Sequence, residues 1–157
     1  MAKMLKKKGF NVLYLEDGSL KKIKNIVRKF SSKLKDSGVG FFYYAGHGVE
    51  VENINYLISL GADIIQKSDV EFESLSINYI IRQMENSHNR LNIVVLDACR
   101  NDPFSRGGGG LAQINNTKGI YIAFATSPGD VASELLMNDA FYIKFSYFYL
   151  KCFNPKF

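Results

Sequence analysis

Tyr43-Tyr44-Ala45-Gly46-His47-Gly48 closes an apolar run, Val39 to Tyr44 (VGFFYY), of the kind that forms strands buried on both faces. A second such run, Leu91 to Leu96 (LNIVVL), leads into Asp97-Ala98-Cys99-Arg100. Each run hands over to a chemically reactive side chain, a histidine in one case and a cysteine in the other. The chain holds only two histidines and two cysteines, so this placement is not a product of composition.

Working outward, the spacing predicts a helix end over Met1 to Lys8 with Gly9 as its C-cap, then a strand over Phe10 to Leu15. Asp17-Gly18 stops that strand, and Ser19 can cap an amphipathic helix over Leu20 to Leu34, with Ile23, Ile26, Val27 and Phe30 on its apolar face. After VGFFYY, the stretch Val49 to Leu60 alternates like a hairpin turning near Glu52-Asn53. Ser76 to Glu85 reads as a second helix, with Ile77, Ile80, Ile81 and Met84 on one face. Asn101 to Lys118, with four glycines at 107–110, reads as a loop, and Gly119 to Thr126 (GIYIAFAT) as a last strand. Strands separated by helices imply an α/β domain: a largely parallel sheet with helices on both faces. In such sheets the carboxyl ends of the strands build the site, and His47 and Cys99 fall just past two of those ends.

The bulk properties restrict the function. An apolar fraction of 46% over 157 residues supplies a core for one ordinary domain. The net charge of +5 invites a nucleic-acid reading, but the lysines crowd the first 35 residues, where they alternate with apolar positions at helical spacing. A solvated helix face explains them better, and a nucleic-acid module ranks last. Cys99 and Cys152 make no disulfide framework, the basic start lacks a signal-peptide core, and no run reaches a membrane span. A reducing cytoplasmic location is expected, with no membrane partner.

A cysteine attacks as its thiolate, and a neighbouring histidine can take the proton and return one to a leaving amine. His47 and Cys99 therefore form a candidate catalytic dyad. Gly46 and Gly48 leave room for a substrate backbone, and the N–H groups of Gly48 and Cys99 are candidates for an oxyanion hole. Asp97 shares a strand face with Cys99 and either binds a basic substrate side chain or caps nearby backbone N–H groups. His88 reads as part of a polar helix end, and Cys152 as structural. A phosphate loop is rejected because no Gly-Lys-Ser/Thr follows the glycines, and no clustered ligands suggest a metal.

The segments YYAGHG (43–48), NYLISLGADI (55–64), LDACRNDPF (96–104) and GIYIAFATSPGDVAS (119–133) resemble the caspase-like cysteine peptidases, specifically their bacterial metacaspase-type branch. The resemblance implies a three-layer α-β-α caspase-like (caspase–hemoglobinase) fold with a mostly parallel sheet. It implies peptide-bond cleavage with His47 as general base and acid and Cys99 as nucleophile, acting on protein or peptide substrates. Asp97 matches the acidic residue two before the cysteine in members that cut after Arg or Lys, and Asp130 is a second candidate for that pocket. The chemistry needs no cofactor. Many metacaspases are stimulated by calcium and process themselves, properties with no signature in these residues.

The likeness covers residues 1–133 as a partial catalytic domain and leaves 134–157 as a divergent tail. The family's first strand, which lies centrally in its sheet, and its last elements have no counterpart, so the expectation is a sheet with two open ladder edges. The alternative function is accordingly a catalytically inactive, truncated domain that serves as a binding module or remnant.

Overall fold

The computed structural model describes residues 2–34, 38–100, 119–124 and 147–153. A short helix α1 (Ala2–Lys7) ends where Gly9 takes a left-handed φ of 80°, its N–H donating to Lys6 while Phe10 N–H donates to Leu5. This paired closure is the Schellman motif that a C-terminal glycine permits. It delivers the chain into β1 (Asn11–Glu16), followed by α2 (Leu20–Leu34). Then come β2 (Val39–Val51) and β3 (Ile54–Ile58), joined by Glu52 and Asn53, both at positive φ as a two-residue hairpin turn requires.

Past a 3-10 turn at Lys67–Asp69 lie α3 (Val70–Glu73), β4 (Ser74–Ser76), α4 (Ile77–Glu85), β5 (Leu91–Arg100), β6 (Ile120–Phe124) and β7 (Tyr147–Phe153). The expected loop at 101–118 lies outside the described residues.

The sheet is mixed, where a largely parallel one was expected. β2 pairs in parallel with β5, and β5 in parallel with β6, while β3 and β7 run against their neighbours. β7 stands between β1 and β2, antiparallel to both, with Gly40 opposite Cys152 and Asn11 opposite Cys152 on the other side. The two ladder edges expected to be open are therefore both paired, by a strand drawn from the segment read as a tail. Register was not legible there because an aromatic run such as Tyr147 to Leu150 carries no alternation to aim one face at a core.

The core lies on one face of β2 and β5. Phe42, Tyr44, Val94, Leu96 and Ala98 are buried against Ile23, Val27, Phe30 and Leu34 of α2 and Ile77, Ile80, Ile81 and Met84 of α4. These are the helix faces that the 3.6-residue spacing marks out, except that Ile26 is only half-buried at the margin. Gly40 is the close-approach point: a Cβ there would lie 2.6 Å from Asn92 Oδ1 and 2.7 Å from a Leu34 methyl. Asn92 in turn accepts from Asn89 Nδ2 and donates to the Met84 carbonyl, tying the end of α4 to the start of β5.

Candidate functional site

Three strand neighbours meet at His47. β5 runs beside β2 from Val39 to Gly48, pairing His47 with Cys99 and Gly48 with Arg100. On the other side of β2, β7 leaves at Ala45 and β3 takes over at Gly48, opposite Leu57. His47 thus sits where β2 exchanges one partner for another. Both reactive residues lie inside their strands rather than just past them. The parallel ladder to β5 continues through the glycines on either side of His47.

Adjacent strands lie roughly 4.8 Å apart, so direct pairing of His47 with Cys99 sets the two backbones within side-chain reach of one another. The residues far apart in sequence are brought together by the connection through β3, α3, β4 and α4, which returns the chain parallel to β2. The His47 side chain is exposed, whereas Gly48 is buried between β3 and β5.

Two tyrosines missed as functional candidates hold this edge. Tyr44 is fully buried, and its hydroxyl lies 2.6 Å from the His47 carbonyl and 3.2 Å from the Ile58 carbonyl at the end of β3. It pins the backbone of the histidine to the neighbouring hairpin. Tyr43, on the opposite face, donates its hydroxyl to Asp97 Oδ2 at 3.0 Å. The hydroxyl gives the Asp97 carboxylate a side-chain partner on the neighbouring strand. Pattern alone cannot reveal either contact, because each depends on which strand lies alongside. Asp130 lies outside the described residues.

A groove of about 360 Å³ on another part of the molecule is lined by Lys24, Tyr56, Glu71 and Arg82 among others, and contains none of these residues. There, burial and then the Glu71 and Glu52 carboxylates push the Tyr56 hydroxyl above its ordinary value. Among the described residues no group of three His, Cys, Asp or Glu side chains is placed to hold a metal ion.

The sequence model of the caspase domain matches residues 1–145. The chain belongs to the caspase-domain family. Its mixed sheet, flanked by helices, is the α/β architecture consistent with that family. The human mucosa-associated lymphoid tissue lymphoma translocation protein 1 is 26% identical over 136 residues, which is 86% of this chain and 16% of the relative. The mouse homolog matches with the same identity and coverage. The chain thus spans about a sixth of the length of these curated relatives. Among the described residues no helix is long and apolar enough to cross a membrane.

Proposed function

We propose that this chain is a cysteine endopeptidase of the metacaspase-type branch, cleaving protein or peptide substrates after Arg or Lys in the cytoplasm. The observation that carries the reading is the pairing of His47 with Cys99 on adjacent parallel strands within a caspase-family domain. Cys99 attacks the scissile carbonyl as its thiolate, having given its proton to His47, and His47 returns a proton to the leaving amine. The N–H groups of Gly48 and Cys99 are assigned to the oxyanion, and Asp97 to the cationic side chain of the substrate. Asp130 is a second candidate for that pocket, and the chemistry needs no metal or cofactor.

The test is hydrolysis of fluorogenic peptides ending in Arg, Lys or Asp. Cys99→Ala is expected to abolish cleavage, and His47→Ala to lower kcat/KM about 10²- to 10⁴-fold, the usual worth of a positioned acid–base group. Wild-type rates in either variant would overturn the dyad. If the unmodified chain cleaves none of the peptides while folding cooperatively, the non-catalytic binding module is the better reading.

A further inference from the structure

We propose that Tyr43 is a positioning residue for substrate selectivity, which orients the Asp97 carboxylate so that arginine is preferred over lysine. This rests on the assignment of Asp97 to the cationic substrate side chain. The register explains the contact: Tyr43 pairs with Val95 and Ala45 with Asp97, so Tyr43 lies one strand over and two residues back on the same sheet face. Both side chains are half-buried on the face opposite the helix-packed core. From there the Tyr43 hydroxyl reaches Asp97 Oδ2 at 3.0 Å.

A carboxylate has about four acceptor positions, and the Tyr43 hydroxyl uses one of them on Oδ2. Rotation of the carboxylate is restrained while acceptor positions remain on both oxygens. A guanidinium presents a rigid planar fork and gains from a carboxylate whose plane is held still. An ammonium is a compact point charge with freely rotating donors, so it gains much less from a fixed plane. Removing the Tyr43 hydroxyl should therefore weaken arginine recognition more than lysine recognition, and should leave the Cys99–His47 pair intact.

The experiment measures fluorescence anisotropy of labelled peptides ending in Arg, Lys or citrulline, bound to the full chain carrying Cys99→Ala. In that background Tyr43→Phe and Asp97→Asn are compared. Tyr43→Phe is expected to reduce the Arg-over-Lys affinity ratio about five- to tenfold, in the range of losing one ordinary hydrogen bond. Asp97→Asn should remove the preference of both cationic peptides over citrulline. An unchanged Arg-over-Lys ratio in Tyr43→Phe, with selectivity lost in Asp97→Asn, would overturn the role of Tyr43 and leave the Asp97 assignment standing. Cationic preference that survives Asp97→Asn, or no cationic preference at all, would overturn the Asp97 assignment and the role of Tyr43 with it. In the catalytic chain, alkylation of Cys99 by iodoacetamide should proceed at the same rate with Tyr43→Phe. A rate reduced as much as the arginine affinity would mean a general disturbance of the site, and would also overturn the proposal.

Discussion

The two faces of β2 and β5 differ sharply although the same residues alternate between them. On one, Phe42, Tyr44, Val94, Leu96 and Ala98 are at most 1% exposed and pack under α2 and α4. On the other, Tyr43, Ala45, Val95 and Asp97 are half-buried, and His47 is exposed. The period-two alternation of a strand thus assigns the packed core to one face and the candidate site to the other. Tyr43 and Tyr44 are neighbours in sequence with identical side chains, yet one holds a candidate substrate carboxylate and the other the backbone of a candidate catalytic residue.

Substitutions on the two faces should separate cleanly. Phe42→Ala, on the packed face, is expected to destabilise the fold by about 3–5 kcal/mol, the typical result of truncating a buried aromatic side chain. Asp97→Asn, on the open face, should leave the urea midpoint nearly unchanged while removing selectivity for cationic peptides. Equal loss of stability from both would break the division between faces.

Tyr44→Phe sharpens it, because Tyr44 belongs to the packed face but its hydroxyl serves the site. Deleting that hydroxyl strips a donor from the His47 and Ile58 carbonyls and should cost about 1–3 kcal/mol in denaturant unfolding. The kcat for peptide cleavage should fall as well, with KM little changed. A loss of stability without any loss of kcat would confine Tyr44 to the core.

A third region supplies the smallest effect. At the 3-10 turn, the backbone N–H of Gln66 holds the Asp69 carboxyl below its ordinary value against an opposing effect of burial, helped by the backbone N–H of Ile65 and the Gln66 side chain. A carboxylate with a depressed folded-state pKa contributes stability above its unfolded value and loses it as pH falls through the folded one. Asp69→Asn should therefore leave a slight loss of stability near neutral pH that disappears under strongly acidic conditions. A pH-independent difference between the two proteins would remove the charge from the explanation.

The parts of this fold legible beforehand were those with a period. α2 and α4 announced their buried faces through Ile23, Val27 and Phe30 and through Ile77, Ile80, Ile81 and Met84, because a 3.6-residue repeat is local. The hairpin turn at Glu52-Asn53 was legible for the same reason. β2 ran past its expected end because its continuation depends on β5, a partner that sequence spacing does not specify. β7 was illegible because its place between β1 and β2 is set by two long-range ladders. The rarity of His and Cys singled out His47 and Cys99 as candidates, whereas Tyr43 and Tyr44 were hidden among 9 tyrosines and 12 phenylalanines.

The central claim is that His47 and Cys99, paired across β2 and β5, act as one chemical unit. Site-resolved alkylation by iodoacetamide, with peptide mapping to separate Cys99 from Cys152, tests it without needing a substrate. At neutral pH an isolated thiol is only a few per cent ionised, so a histidine that accepts its proton should be visible directly in the rate. Cys99 is expected to react about tenfold or more faster in the unmodified chain than in His47→Ala, with Cys152 unaffected. Equal Cys99 rates in the two folded proteins would contradict the dyad.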